Sequence, residues 1–290
     1  MAKYVCTVGR FASLLPLHFL LLITADSSPD SFLYSGCSLM KYTPNSPYQS
    51  NLNSLITSLF NSATYSSYNH FTITGASPQQ DDVVYGLYQC RSDLSMPDCA
   101  TCVARAVTRL GSTCPLACGG SMQLEGCFVK YDNASFIGTE DKSPAMRKCR
   151  PSDGDDADRM GSRDTVLAAM CGGSGGPYRV GGAEGVSGVA QCVGDLTAGQ
   201  CQDCVEEAIR RLKAECGGAV FGDMFLGKCY ARYTTSGAQN YARSNHESPH
   251  SESEKTFALI IGLLAGVALL IIFLTFLGRL FSRNGEDISI

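Results

Sequence analysis

Cysteine residues recur in this chain with one spacing in two separate places. Each place contains five cysteines separated by 9, 3, 12 and 13 residues, and one further cysteine lies upstream. The first set is Cys37 with Cys90, Cys99, Cys102, Cys114 and Cys127, and the second set is Cys149 with Cys192, Cys201, Cys204, Cys216 and Cys229. Four matching intervals predict a tandem of one unit of roughly 100 residues.

The N-terminus predicts delivery to the secretory pathway. Lys3 and Arg10 precede an apolar run at 14–23, and small residues follow that run. This order is typical of a cleaved signal peptide, which we assign to residues 1–25. Cys6 leaves with that segment, so 14 of the 15 cysteines remain in the mature chain.

A second apolar run, at 257–277, predicts a transmembrane helix. It contains 21 residues without a charge, and about 20 such residues cross the hydrocarbon core of a bilayer. Arg279 and Arg283 follow it, which predicts a cytosolic C-terminus and an extracellular N-terminus, the type I orientation. The tail at 278–290 is too short to fold as a kinase or another domain, and a flexible polar linker is predicted at 239–256.

Small residues lie on one face of this predicted helix, at Ala258, Gly262 and Gly266. Small residues at this spacing let two transmembrane helices approach closely. Self-association through the span is therefore one predicted interaction, with the ordinary abundance of glycine in such helices as the alternative explanation.

The close cysteine pair Cys99 and Cys102, repeated at Cys201 and Cys204, suits a disulfide staple, a redox couple or a metal site. We favour staples, because thiols of the secretory pathway are oxidised and small secreted domains use disulfides to compensate for thin cores. A zinc site would need a second close pair or histidines, and His70 is the only histidine between the predicted signal peptide and linker. Six cysteines in a unit allow fifteen pairings, which the spacing leaves open.

Two cysteines lie outside the repeated pattern, Cys118 and Cys171. Neither has a counterpart in the other repeat. We expect them to bond to each other and so to join the two units. The alternative is a free thiol or a bond to another molecule.

Hydrophobic periodicity predicts two helices in each unit. Helical stripes of apolar residues lie at 52–59, 103–110, 162–171 and 205–212. Because such a stripe buries one face of a helix, each is expected to pack on a sheet. Ser162 or Asp164 is expected to cap the third of these helices.

Strand-like segments flank the helices in both repeats. They lie at 83–90, 122–132, 185–192 and 224–234. Alternation around Cys127 and Cys229 favours a half-buried antiparallel sheet. The predicted fold class is therefore α+β.

Composition and motifs offer no catalytic site. A formal charge of −4 and a pI near 5.6 provide no basic surface for nucleic acid, and without Trp an aromatic sugar platform would need Tyr or Phe. The sequence GGSGG around Ser174 matches the G-x-S-x-G pattern of hydrolases, but it lies in a glycine-rich loop and His70 belongs to the other repeat. We expect no catalysis, no metal and no other cofactor.

Two further motifs concern the surface. The acidic run DGDDAD at 153–158 lacks the glycine spacing and final Glu of a calcium-binding EF-hand, so we predict a solvated linker between the units. Asn133 begins NAS, the one clear N-glycosylation sequon, and is predicted to be exposed.

Paired C-x8-C-x2-C repeats, a signal peptide, one membrane span and a short tail resemble the plant plasmodesmata-located proteins. The repeated unit resembles the cysteine-rich DUF26 domain, also called the Gnk2-homologous or salt-stress/antifungal domain, and we assign the copies to 30–138 and 142–238. The resemblance implies two helices on a five-stranded antiparallel sheet and three disulfides in each copy. The implied pairs are Cys37–Cys114, Cys90–Cys99, Cys102–Cys127, Cys149–Cys216, Cys192–Cys201 and Cys204–Cys229.

The resemblance also implies a function without catalysis: a membrane protein at plasmodesmata that regulates cell-to-cell trafficking, callose deposition and defence signalling. Related receptor-like kinases share the ectodomain but carry a large cytosolic kinase, which the predicted tail does not accommodate. The expected partners are the membrane, a cell-wall glycan, a receptor-like kinase or a second copy of the chain. Two other functions remain open, namely a membrane-tethered glycan-binding or antifungal lectin or co-receptor at the plasma membrane, and an extracellular redox sensor.

A seed lectin of the same domain binds mannose through an Asn, an Arg and a Glu near its first and last cysteines. The corresponding positions here are Ser38, Ser121 and Asp132 in the first unit and Arg150, Asp223 and Thr234 in the second. Only Asp132 keeps the chemical character. Loss of the Arg donors and the Asn amide removes most polar recognition, so we predict that this mannose site is not retained.

Overall fold

The computed structural model describes two similar units. The described residues are 28–75, 82–151, 157–172 and 176–236, together with Leu274. In each unit, two helices pack on one face of a five-stranded antiparallel sheet. The predicted α+β architecture of two tandem disulfide-rich units is therefore confirmed.

The secondary-structure elements repeat in the same order in both units. The first unit contains β1 (Phe32–Cys37), α1 (Pro47–Ser62), β2 (Tyr68–Ile73), β3 (Val84–Cys90), α2 (Met96–Thr113), β4 (Gly119–Leu124) and β5 (Cys127–Asp132). The second contains β6 (Pro144–Pro151), α3 (Ala157–Gly172), β7 (Tyr178–Ala183), β8 (Val186–Cys192), α4 (Ala198–Glu215), β9 (Ala219–Leu226) and β10 (Cys229–Thr235). The strand orders are β1-β4-β5-β3-β2 and β6-β9-β10-β8-β7, so the topology is repeated as well.

The predicted terminal segments are not part of this description. The signal peptide at 1–25, the linker at 239–256 and the tail at 278–290 lie outside the described residues. The predicted span at 257–277 also lies outside them, apart from Leu274. Among the helices that the structure does describe, none is both long and apolar enough to cross a bilayer.

The helices that carry the close cysteine pairs begin at side-chain caps. The hydroxyl groups of Ser95 and Thr197 each accept a hydrogen bond from the backbone N–H three residues later, at 3.3 Å. Gln200 Oε1 also accepts from the Thr197 N–H at 2.9 Å, which completes a capping box at the start of α4. Because these caps determine where α2 and α4 start, most apolar residues at 103–110 and 205–212 face the sheets and are buried.

The first helix of the second unit begins earlier than predicted. It starts at Ala157, so Ser162 and Asp164 lie within α3 and do not cap it. The Ser162 hydroxyl instead donates to the Asp158 carbonyl oxygen, one turn earlier, at 3.1 Å. The prediction that the run at 153–158 links the two units is also wrong, because β6 precedes this run and pairs within the second sheet.

Six disulfides join all the described cysteines except Cys118 and Cys171, and each bond lies within one unit. The close cysteine pair divides between two strands, because residues three apart lie on one face of a helix. Cys99 is bonded to Cys90 at the end of β3, and Cys102 to Cys127 at the start of β5. The bonds are Cys37–Cys114, Cys90–Cys99, Cys102–Cys127, Cys149–Cys216, Cys192–Cys201 and Cys204–Cys229.

The predicted bond between Cys118 and Cys171 is wrong, because both thiols are free. Cys118 is buried in the hydrophobic core of the first unit. Cys171 lies near the end of α3 and packs against the core of the second unit. Each thiol therefore belongs to a different core, and other contacts hold the two units together.

The central strands of the first sheet are covered on both faces. In β3, every residue except Tyr85 is buried. Leu87 and Phe128 point away from the helices and are buried together with Val193 of the second unit. The half-buried sheet was predicted from alternation around Cys127 and Cys229. In β10, buried and partly buried residues do alternate, whereas β3 and the start of β5 are buried on both faces because the other unit covers the second face.

Candidate functional site

The junction between the units is built from equivalent residues of the two repeats. Gln89 and Gln191 each precede the first cysteine of the repeated motif. Gln191 Nε2 donates to the Cys90 carbonyl oxygen at 3.0 Å. Gln89 Oε1 accepts from the Gly194 N–H at 2.9 Å. Gly194 permits this approach, because a Cβ there would lie 2.8 Å from the Tyr68 ring.

Arg232 makes an ionic contact across the junction. Its Nε lies 2.8 Å from Asp223 Oδ1 in the same unit, and its Nη1 pairs with Glu125 of the first unit. Arg91 Nη1 lies 3.7 Å from the same Glu125 carboxylate. Burial alone would lower the pKa of Arg232, but the two carboxylates outweigh it and raise that pKa overall. The network ties the β4–β5 turn to β10 with a permanently charged guanidinium.

An open cleft lies beside this network and takes its walls from both units. Its empty space, open mouth included, is about 450 Å³. The Phe225 ring stacks on Tyr230 with centroids 4.9 Å apart, and meets Tyr34 of the first unit edge to face at 5.8 Å. Gln123 and Arg91 add polar groups to the lining. Phe225 is only 2% exposed and Gln123 is buried, so a ligand at the mouth of this cleft would meet partly exposed side chains such as Tyr34, Tyr230 and Arg91.

The segment that connects the units is held by a buried ion pair. Lys228 and Asp195 form this pair, and their side chains are 1% and 2% exposed. Lys228 Nζ also donates to the Phe136 carbonyl oxygen at 3.1 Å, while Asp195 Oδ2 accepts from the Gly138 N–H at 2.9 Å. The Phe136 ring lies between two ammonium groups, with Lys130 Nζ 4.7 Å and Lys228 Nζ 5.1 Å from its centroid. Burial lowers the pKa of Lys228, although Asp195 opposes that change.

The sequence did not indicate a junction at these residues, and Asp223 was considered only as a position aligned with the mannose site. The available signal was divergence between otherwise matched repeats. Arg91 corresponds to Val193, and Gly126 corresponds to Lys228. Where one repeat has a charged residue and the other an uncharged one, the side chains at that position make different contacts in the two units.

The positions aligned with the mannose site lie at one end of the first sheet, where their polar groups serve local structure. The Ser38 N–H donates to the Gly119 carbonyl oxygen at 2.8 Å, and the Ser38 hydroxyl accepts from the Met40 N–H at 3.2 Å. Asp132 Oδ1 accepts from the Ala134 N–H at 3.1 Å. The same carboxylate packs against Gly119, where a Cβ would lie 2.9 Å away.

The remaining aligned positions do not form a similar group. Ser121 faces Gly36 across the β1–β4 pair. Arg150 lies in β6 and Thr234 in β10. Asp223 is held in the ionic network of the junction. In the second unit, the one acidic side chain at these positions holds Arg232, which pairs with Glu125 of the first unit.

Several predicted positions have no structural account. Ser174, Ala258, Gly262 and Gly266 lie outside the described residues. Asn133 is described, directly follows β5 and is partly exposed. Its sequon is therefore on the surface of the first unit.

The environments of the two free thiols disfavour redox chemistry. Burial raises the pKa of Cys118, and the nearby charge of Asp132 raises it further. Burial also raises the pKa of Cys171, with an added contribution from Glu206. A raised pKa lowers the fraction of thiolate, which is the reactive form of cysteine.

We expect both thiols of the native chain to be alkylated slowly at neutral pH, Cys171 before the buried Cys118. The rate at Cys171 should rise with pH, with a midpoint above that of an ordinary thiol, because its thiolate forms only at higher pH. Mass spectrometry of peptides after timed iodoacetamide treatment measures both rates, and C171S assigns the faster one. A native Cys171 that reacts at neutral pH as fast as the unfolded chain would contradict this expectation.

A family model described as salt stress response/antifungal matches residues 36–134 and 164–236. These two segments fall in the two structural units. The first match includes all six patterned cysteines of its repeat, and the second includes the five from Cys192 onward. The similarity to that family therefore extends over both repeats.

Individual relatives are similar over most of the chain. Plasmodesmata-located protein 7 of Arabidopsis thaliana is 58% identical over 265 residues, which cover 91% of this chain and 88% of that protein. Plasmodesmata-located protein 6 of the same plant is 52% identical over 266 residues, covering 90% of this chain and 92% of that protein. The crystal structure of the tandem DUF26 ectodomain from the Arabidopsis thaliana cysteine-rich receptor-like protein PDLP5 has a TM-score of 0.67 at 43% identity, and covers 71% of this chain and 100% of that chain.

Proposed function

Because the chain belongs to the plasmodesmata-located protein family, we propose that it is a non-enzymatic, single-pass membrane protein of plasmodesmata. Its tandem ectodomain acts as an extracellular binding module that modulates cell-to-cell trafficking. The proposed output is a change in callose deposition and in defence signalling. Family membership supports a receptor-like protein associated with plasmodesmata, and the trafficking role extends that statement.

The observation that carries the proposal is the reach of the sequence identity. It extends over 91% of the chain, and so beyond the two folded units. Because the similarity to the relative continues beyond the folded units, it favours a shared cellular location as well as a shared architecture. The type I orientation and the predicted span at 257–277 are parts of the same proposal.

We assign recognition to the ectodomain and targeting to the predicted span. The junction cleft has walls from both units, and Tyr34, Tyr230 and Arg91 are among the side chains that it partly exposes. Its chemistry suits a cell-wall glycan or a segment of a receptor-like kinase. The span would anchor the chain and, through its small residues, allow self-association.

A tethered lectin or co-receptor at the plasma membrane is the second candidate. The cleft favours it, because glycan binding there would not depend on the positions aligned with the mannose site. Redox sensing is less well supported, since burial raises the pKa values of both free thiols.

A fluorescent protein fused to the C-terminus tests the location in intact plant epidermis stained for callose. We expect discrete wall puncta that coincide with callose. A uniform plasma-membrane signal would reject the plasmodesmata proposal and favour the tethered lectin, which a glycan-binding screen would then examine.

Replacing residues 257–277 by an unrelated transmembrane helix tests the division of labour. We expect the puncta to be lost while the ectodomain still folds and reaches the cell surface, because the span is proposed to carry the targeting information. Surface labelling of intact cells measures delivery separately from puncta. Puncta that survive the exchange would assign targeting to the ectodomain instead.

A further inference from the structure

Three apolar side chains are exposed at one end of the first unit. Leu39 is 96% exposed and Met40 is 60% exposed, directly after β1. Leu116 is 41% exposed in the facing segment, where its φ of 58° places a bulky residue in the left-handed region. We call these three residues the apolar tip. Neighbouring exposed apolar side chains form a surface that can gain by contact with another group.

The backbone of the apolar tip is held by hydrogen bonds between its two segments. The Tyr42 N–H donates to the Leu116 carbonyl oxygen at 2.9 Å, and the Cys118 N–H donates to the Met40 carbonyl oxygen at 2.8 Å. Lys41 Nζ donates to the Pro115 carbonyl oxygen at 2.8 Å. The tip is therefore an ordered part of the first unit.

The sequon asparagine faces this tip. Asn133 Nδ2 donates to Met40 Sδ at 3.5 Å. The Asn133 backbone is held by its N–H, which donates to the Cys118 carbonyl oxygen at 3.1 Å. Ser135, the third residue of the sequon, is exposed. The atom that would carry a glycan is thus in contact with one of the apolar side chains.

We propose that Asn133 carries an N-linked glycan whose first sugars lie over the apolar tip and cover it. The first sugar would be bonded to an atom 3.5 Å from the Met40 sulfur. N-acetylglucosamine has apolar C–H surfaces and an acetamido methyl group. Packing these groups on Leu39 and Met40 removes apolar surface from water and lowers the free energy. Its polar hydroxyl groups remain in water, so the sugar covers the apolar tip and presents a polar surface to the solvent.

The attachment uses a polyprenyl diphosphate-linked oligosaccharide as the donor. Asn133 Nδ2 forms a bond to C1 of the first sugar and loses one proton, while the bond from C1 to the diphosphate oxygen breaks. Polyprenyl diphosphate is the leaving group. The second proton on Nδ2 remains, so the hydrogen bond to Met40 Sδ is compatible with glycosylation.

Methionine oxidation measures whether the tip is covered. The full-length chain is made in plant cells, placed in lipid nanodiscs and treated with dilute hydrogen peroxide, which transfers one oxygen to a thioether and leaves water. Met160 in the second unit is the internal reference, at 37% exposed. Although the protein alone exposes Met40 more, we expect the glycosylated chain to oxidise Met40 more slowly than Met160.

Substitutions at Ser135 provide the matched pair of variants. S135A removes the sequon and keeps Asn133, and should reverse the order so that Met40 oxidises faster than Met160. S135T keeps the sequon and should behave as the natural chain. A natural chain without a glycan on Asn133, or with a glycan but with Met40 faster than Met160, overturns the proposal. Slow oxidation of Met40 in both S135A and S135T would mean that another molecule covers the tip, which also overturns it.

Discussion

The D195A variant is expected to lose about 3–5 kcal/mol of unfolding free energy, because breaking a buried ion pair leaves an uncompensated charge. The charge left behind is Lys228, whose side chain is 1% exposed. The same change removes the hydrogen bond that the Gly138 N–H donates to Asp195 Oδ2, so the connecting segment is held less tightly as well. Denaturant unfolding of a fragment covering both units, followed by Tyr fluorescence, measures the loss.

Two control variants separate the loss of the ion pair from other effects of a substitution near Phe136. The double change K228M/D195L should recover part of the loss, because it removes both buried charges together, while the Gly138 N–H remains unpaired. K130A removes only the other ammonium near the Phe136 ring and should cost about 0.5–1 kcal/mol. A D195A deficit no larger than that of K130A would mean that the ion pair does not support the connecting segment.

The deficit of D195A should shrink as the pH rises. Burial already lowers the pKa of Lys228 below its ordinary value of 10.5, and removal of Asp195 lowers it further. Between the lowered folded pKa and 10.5 the unfolded chain binds more protons than the folded chain, so stability rises with pH in that window. Repeating the unfolding of D195A and the natural fragment at neutral and alkaline pH checks this sign.

Removal of the Cys37–Cys114 bond is expected to have a similarly large effect. It closes 77 residues of chain, and the loop-entropy relation gives about 4.5 kcal/mol for a loop of that length. The C37A/C114A variant should therefore unfold far more easily than the natural fragment. The unfolding midpoint in urea gives the comparison under non-reducing conditions.

The matched control is the C90A/C99A variant. That bond closes only 9 residues, which corresponds to about 2.6 kcal/mol in the same relation. Both bonds connect a strand to α2 or its C-terminal cap in the same unit, but Cys90 and Cys99 are fully buried whereas Cys37 is exposed, so C90A/C99A also loses buried sulfur packing. A larger loss for C90A/C99A than for C37A/C114A would show that local packing outweighs loop length here.

The repeated cysteines were a good guide to the fold because they sit at the ends of elements. Cys90 ends β3, Cys127 begins β5, and Cys99 and Cys102 lie in the first turns of α2. Periodic apolar stripes then identified both helices that follow the close pairs. The start of α3 was missed, because the apolar stripe begins well after the helix does and the acidic run at 153–158, which supplies Asp156 directly before Ala157, was interpreted as a linker.

The junction could not be predicted from alternation alone. In β3 the residues that point away from the helices include Leu87 and Gln89, one apolar and one polar. This mixture is compatible with a solvated face, and only the other unit makes it a buried one. Free thiols were missed for a related reason: the pairing of Cys118 with Cys171 assumed proximity between two positions that belong to separate cores.

The composite cleft has a consequence for how the protein works at low abundance. Its walls come from two copies of one fold, with Tyr34 from the first and Phe225 from the second. If such copies were separate molecules, the cleft would exist only above a threshold of protein concentration. Because one chain carries both units, each unit has a high effective concentration near the other. The cleft is therefore complete in every single molecule, however few of them are present.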